Sequence, residues 1–298
     1  MRLTDDRYRR LLEDRARQPE LVAERARSRR RRPLLDGDGR LMIVAADHPA
    51  RRSLGVGANP YAMADRRELL DRLVTALSRP GVDGVLATPD LVEDLLLLGE
   101  LDDKVVFGSM NRSGLAGSVW ELDDRFTAYD AASIEAMGLD GGKMLLRLDP
   151  DDPGTNETLT ACARAVSDLA ARGLAAMVEP LPATRGDDGR VRLVDDDDRL
   201  VEAVAVASGL GATSAHTWLK LPAPDDPHRV FGATTLPVLL LGGDPSGREE
   251  TLVTAWREAL EVPNVRGLVV GRSLLYPADG EVERWVDLAV SIVHGGQS

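Results

Sequence analysis

The sequence predicts a (β/α)8 TIM barrel preceded by an N-terminal helical arm. Three observations carry that reading. Eight short runs between residues 41 and 270 are continuously apolar rather than alternating, as expected for parallel strands buried on both faces. Segments of helical spacing separate most of them, so strand-then-helix units repeat over about 250 residues. No Gly-x-Gly-x-x-Gly follows the first run; Ala46-Asp47-His48-Pro49 stands there instead, against the rival doubly wound open sheet.

Residues 1–40 differ from the rest. Arginine and glutamate dominate, the segment runs into Arg29-Arg30-Arg31-Arg32-Pro33, and Leu11, Leu12, Leu21 and Val22 offer a thin apolar stripe. Such a stripe suits a helical arm covering the bottom of the domain or a neighbouring subunit; the other reading is a basic patch for an acidic partner. Asp36-Gly37-Asp38-Gly39 closes the arm with a turn. The barrel domain is then expected over 41–298. Its first strand is Leu41–Ala46. A helix over Tyr61–Ser78 repeats Met63, Leu69, Leu70, Leu73, Val74 and Leu77 and stops at Arg79-Pro80-Gly81. Strand two is Asp83–Ala87, followed by a helix over Pro89–Leu98, and strand three is Lys104–Phe107. A glycine-bearing loop (Gly108, Gly114, Gly117) leads to a helix near Ala128–Met137. Strand four, Gly142–Leu148, has its helix at Glu157–Arg172. Strand five, Leu174–Glu179, precedes a long polar loop over 180–195 and a helix at Asp197–Ser208. Strand six, Ala215–Leu221, carries a short helix or none. Strand seven, Pro237–Leu241, has a helix at Ser246–Leu260, and strand eight, Arg266–Val270, a last helix at Val282–Val293.

Composition excludes several classes. At 298 residues and 43 % hydrophobic the chain can bury a large core. No run nears the roughly 18 apolar residues of a membrane span, so no membrane partner is expected. Met-Arg-Leu-Thr-Asp-Asp lacks an apolar signal core, and a cytoplasmic protein is expected. A net charge of −12 argues against nucleic-acid binding. The single cysteine, Cys162, excludes an internal disulfide and sits at helical spacing as a packing residue. An acidic barrel with an added arm is compatible with a homo-oligomer.

The informative residue type is lysine. Of 37 basic residues only Lys104, Lys143 and Lys220 are lysines. Arginine serves a solvated surface equally well but cannot lose its proton, whereas a desolvated ammonium can become a nucleophile. Lys143 and Lys220 lie in strands four and six, and alternate strands feed the same interior layer of a barrel. A second cation beside an amine lowers its pKa. Glu179, ending strand five, lies between them in order and can shuttle protons; Asp47, ending strand one, can do so from across the mouth. A buried structural ion pair is the alternative for Lys143 with Glu179, and a snorkelling side chain for Lys220.

Barrel active sites form where strands end. Strand seven ends in Gly242-Gly243-Asp244 and strand eight in Gly271-Arg272-Ser273. Their glycines let backbone N–H groups approach an anion, Arg272 adds a bidentate donor, and Ser246-Gly247 opens a helix toward the same place. Each cluster alone also suits a tight strand-to-helix turn. Ser109, Arg147 and His48 are further candidates for substrate contact. His48 with Asp47 invites a metal, but no second histidine stands at ligand spacing, so neither metal nor cofactor is expected.

Val44-Ala45-Ala46-Asp47-His48 resembles the first-strand motif of class I aldolases related to tagatose-bisphosphate, archaeal-type fructose-bisphosphate and deoxyribose-phosphate aldolases. In the tagatose-bisphosphate type a strand-four lysine, a strand-five glutamate and a strand-six Schiff-base lysine follow in that order, which Lys143, Glu179 and Lys220 match. Leu240-Leu241-Gly242-Gly243 and Val269-Val270-Gly271-Arg272-Ser273 resemble that family's phosphate loops. The resemblance spans residues 41–293, and its nearest likeness is to actinobacterial aldolase-like barrels associated with inositol breakdown. It implies a metal-independent lyase in which Lys220 forms an imine with a phosphorylated keto-sugar. The implied substrate is 6-phospho-5-dehydro-2-deoxygluconate, cleaved to dihydroxyacetone phosphate and malonate semialdehyde. A deoxyribose-phosphate or sulfo-sugar phosphate aldolase, or a non-catalytic sugar-phosphate-binding barrel, is the alternative. Pro222 and Pro224 after Lys220, and Pro49 after His48, depart from the family pattern and bear on substrate choice.

Overall fold

In the computed structural model, which describes residues 2–243 and 249–295, eight parallel strands close on themselves. They are β1 Leu41–Ala45, β2 Gly84–Ala87, β3 Val105–Ser109, β4 Gly141–Leu148, β5 Ala175–Arg185, β7 Thr217–Leu221, β8 Val238–Leu241 and β9 Val265–Val270; β6, Val191–Leu193, is a short extra strand outside the ring. Pairing runs β1-β2-β3-β4-β5-β7-β8-β9 and back to β1. The fold is a TIM barrel. At the closing seam Gly267 faces Leu41, with φ 134°, and a Cβ there would lie 1.9 Å from the Leu41 carbonyl oxygen.

The helices are α1 Asp5–Arg17, α2 Leu21–Ser28, α3 Arg66–Leu77, α4 Pro89–Leu98, α5 Ala131–Ala136, α6 Pro153–Ala170, α7 Asp197–Ser208, α8 Pro227–Phe231, α9 Glu249–Ala259, α10 Arg272–Leu275 and α11 Val282–His294. Local chemistry explains their starts. The Asp65 and Asp196 side chains cap α3 and α7, and proline occupies the first turn of α4, α6 and α8, where its missing N–H costs nothing. The strand alternation sorts the apolar residues into two clusters. Ile43, Phe107, Met177, Trp218, Leu239 and Val269 fill the inside of the barrel. Their outward neighbours, such as Val44, Val106, Val178 and Leu219, pack against the helices.

Several elements differ from expectation. The first long helix begins at Arg66, not Tyr61, because Asp65 caps it there; the helix after β3 shrinks to six residues; and α6 starts four residues early at Pro153. The expected polar loop over 180–195 is instead a continuation of β5, which turns at 186–190 and returns as β6 in an antiparallel hairpin. The expected helix start at Ser246, with Asp244 and Gly247, lies outside the described residues.

The arm lies along the barrel's own α4. Leu11 is buried but Leu12 is 53 % exposed, and Leu3 and Ala26 are the other buried apolar residues of the arm. Arg15 pairs with Glu93 at 2.6 Å and Asp94 at 2.8 Å. The arginine run finds its acceptors within the chain. Arg29 is buried and donates to the carbonyls of Lys104 and Gly138, each at 2.6 Å, Arg30 meets Asp103, Arg31 meets Asp140 and Arg32 meets Asp83. These acceptors flank the amino-terminal ends of the barrel strands, so the arm covers the bottom of the domain.

Candidate active site

At the opposite end, where the strands finish, a cavity of about 610 Å³ opens. The inward alternation of β4 presents Lys143, Leu145 and Arg147, that of β5 presents Glu179 and Leu181, and β7 presents Lys220; all six line the cavity. Glu179 stands between the two lysines. One of its oxygens receives Lys220 Nζ at 2.5 Å, and the other receives Lys143 Nζ. Lys143 also reaches Asp47 Oδ2 at 3.2 Å. None of the four groups exceeds 6 % exposure.

Electrostatics follows from that packing. Burial works to raise the Glu179 carboxyl, but the Lys143 and Lys220 ammoniums overcome it and bring the carboxyl down to about 2. Burial likewise opposes ionisation of Asp47, and Lys143 and Arg112 hold it well below the usual carboxylate range. Burial lowers Lys143, in spite of Asp47 and Glu179, with Lys220 adding to the depression. His48 is lowered to about 3, chiefly by burial, with Arg272 and the two lysines repelling its charged form. A neutral imidazole therefore faces the cavity. Its Nδ1 stands 4.0 Å from Asp47 and has no hydrogen-bond partner among the described residues.

The strand-end glycines take the expected place. Gly242 and Gly243, after β8, and Gly271 and Arg272, after β9, line the same cavity as Lys220. Gly271 permits a close approach: a Cβ there would stand 2.5 Å from the Ala45 carbonyl oxygen and 2.6 Å from the His48 ring. Arg147 lines the cavity with its fork already occupied by Glu121 and the Gly114 carbonyl. Ser109 does not line it. Opposite Lys143 in register and fully buried, it donates to Asp47 Oδ2 at 3.2 Å and so supports that carboxylate from behind.

The Cgl0159-like family model matches residues 39–290. The chain belongs to the Cgl0159-like family. The crystal structure of Cgl0159 from Corynebacterium glutamicum superposes with a TM-score of 0.95 at 49 % identity over 98 % of each chain. An archaeal fructose 1,6-bisphosphate aldolase superposes at 0.66 and 20 % identity, over 92 % of this chain and 100 % of that one. A second such structure, whose catalytic lysine is covalently bound to the carbinolamine intermediate of its substrate, gives 0.65 and 20 % identity over the same shares. At that identity the likeness is one of fold. Comparison with curated proteins finds no match.

In this Cgl0159-like barrel two further walls bound the cavity, and of these only the apolar one was not foreseen from the sequence. The first is the loop after β3. Arg51 ties it down by pairing with Asp124 and donating to the Asn111 carbonyl at 2.5 Å, and Arg112 donates from it to Asp47 at 2.9 Å. The second is apolar: Leu181, Pro182, Val191 and Leu193 of the β5–β6 hairpin face Pro222, Ala223 and Pro224 after β7. The arrangement sets an amine and a carboxylate, both buried, together in a cavity beside glycine-edged loops. Such a set can form an imine, move its protons and hold an anion. Among the described residues, no three His, Cys, Asp or Glu side chains gather as a metal-ligand set.

Proposed function

We propose that this protein is a class I aldolase that cleaves a phosphorylated keto-sugar through a Schiff base on Lys220. The carrying observation is Glu179 held between Lys143 and Lys220 inside a cavity that the strand-end glycines also line. Glu179 takes a proton from Lys220 across their 2.5 Å contact, and the amine adds to the substrate ketone carbon. Glu179 returns the proton to the carbinolamine hydroxyl, water leaves, and the protonated imine becomes the electron sink. Asp47, Glu179 or a bound water takes the hydroxyl proton as the C3–C4 bond breaks, releasing the aldehyde. The enamine is reprotonated at carbon, and water hydrolyses the imine to free the ketone product and Lys220. Lys143 positions the reacting hydroxyl and keeps a second positive charge beside the amine. Gly242, Gly243, Gly271 and Arg272 hold the phosphate, with His48 as a neutral neighbour. Within this class the substrate we favour is 6-phospho-5-dehydro-2-deoxygluconate, supported by the resemblance of the strand motifs.

Borohydride trapping tests this. Incubation with dihydroxyacetone phosphate, reduction and digestion should place a stable added mass on Lys220. The mass should be absent from Lys220→Arg and from protein without ligand. An adduct on Lys143 would reverse the roles of the two lysines. No adduct, with phosphate-ester binding retained by calorimetry, would favour a barrel that binds sugar phosphates without cleaving them.

A further inference from the structure

Arg112 has donors that the chemistry above leaves unused. Its Nη1 donates to Asp47 Oδ2 at 2.9 Å and to Ser109 Oγ at 3.1 Å. Its Nε and Nη2 are buried and have no hydrogen-bond partner among the described residues. Those two N–H groups form one edge of the guanidinium plane, the edge that meets two oxygens of a single anion side-on. A desolvated cation with two idle donors is costly, and Asp47, its ion-pair partner, is shared with Lys143. Arg112 is 6 % exposed and lines the same cavity as Lys220. Arg51 and Arg147 in the same wall already direct their terminal nitrogens to Asp124, Glu121 and backbone carbonyls. Position matters as well. Arg112 follows β3, which lies four strands from β8 in the eight-stranded ring, straight across the mouth from the glycines after β8.

We propose that Arg112 receives a second anionic group of the substrate, a carboxylate or a phosphate, at the end remote from the β8 and β9 loops. It thereby selects substrates that are anionic at both ends. The inference rests on the aldolase reading and deepens it: the ketone half brings the phosphate, and the aldehyde half brings the anion that Arg112 binds.

The test is run in the direction of synthesis. Dihydroxyacetone phosphate is offered with malonate semialdehyde, glyceraldehyde 3-phosphate or neutral glyceraldehyde, and kcat/KM is compared between wild type and Arg112→Met. Wild type should prefer one anionic aldehyde over glyceraldehyde, and which one distinguishes carboxylate from phosphate. Arg112→Met should lower that preference roughly 100-fold, mainly through KM, as expected for loss of a bidentate charged contact. Arg112→Lys, which keeps charge without the edge, should recover less than about a tenth of it. Any cost transmitted through Asp47 falls on all three aldehydes and cancels in the ratio. An equal loss on all three, or an unchanged preference, overturns the proposal. If wild type forms neither product nor Lys220 adduct, the aldolase reading fails by itself, and calorimetry decides on Arg112. Binding of malonate or inorganic phosphate that Arg112→Met abolishes upholds the anion site; equal binding by both proteins, or none, overturns it.

Discussion

At the scale of single residues, Glu179 is held from both sides. It carries one negative charge between two ammoniums, and removing a buried charge costs more than removing a surface one. Glu179→Gln keeps the shape but leaves Lys220 without its counter-ion and Lys143 with Asp47 alone. We expect kcat to fall by about 10²–10⁴, the range typical of a lost acid–base group, together with slower adduct formation in the borohydride assay. The pH dependence has a definite sign. A carboxyl lowered from 4.5 to about 2 stabilises the fold above its unfolded value and loses that contribution as pH falls from 4.5 through 2. Wild type should therefore lose stability steeply on acidification in that window, and Glu179→Gln should show a shallower slope in circular-dichroism melts. The place of Lys143, Lys220 and Glu179 in one cavity was legible because lysine is scarce here and the three stand on successive strands four, five and six. Arg112 was not, because arginine is this chain's default cation and its type carries no signal; only the hydrogen-bond inventory singles it out.

At the scale of elements, the arm and the β5–β6 hairpin show two kinds of legibility. The arm was visible as a change of composition, but which leucine faces inward was not: Leu11 and Leu12 are adjacent, and packing against α4 decides between them. The arginine run also contains unequal members. Arg29 is buried on backbone carbonyls, whereas Arg30 pairs with Asp102 and Asp103 at the surface. Arg29→Ala should destabilise by about 2–4 kcal/mol, since it strands buried acceptors. Arg30→Ala should leave the denaturant midpoint nearly unchanged, as exposed ion pairs contribute little. Equal effects would mean that the arm docks through its helices alone. The hairpin was misread as a loop because Pro180 and Pro182 argue against a strand and Arg185-Gly186-Asp187-Asp188-Gly189 reads as irregular polar chain. In the barrel, β5 keeps pairing with β4 as far as Pro182 before it turns back.

At the scale of the whole molecule, the barrel was legible from eight buried strands in order, but the clamp at its bottom was not. His294, ending α11, bonds Asp38 of the arm's closing turn at 2.8 Å and Asp83, before β2, at 3.0 Å. These residues are far apart in sequence and carry no shared motif. The Asp83 bond is the largest influence on the imidazole and, with Asp38, raises it to about 9 against the effect of burial. A raised histidine stabilises fully below its unfolded value near 6.5 and ceases to do so as pH rises through 9. His294→Ala should therefore lower stability at pH 6 by on the order of 1–2 kcal/mol, after allowance for solvent screening. The gap from wild type should close above about pH 9; a gap of constant size across that range would assign His294 a packing role alone.

The scarcity of lysine has a practical consequence for reactive carbonyl compounds. Lys143 and Lys220 are nearly inaccessible, and the Lys104 ammonium is spent on the Val82 carbonyl at 2.5 Å. An aldehyde, an activated ester or an amine-directed cross-linker touring the exterior thus meets guanidinium groups almost everywhere, and these do not form lasting imines under mild conditions. Apart from any terminal amine and the part-buried Lys104, the cavity is where such a reagent finds amines. Stoichiometric labelling of this protein by amine chemistry would accordingly count occupied sites rather than surface area. A phosphorylated ketone that suppresses the label would reveal its own binding without being turned over.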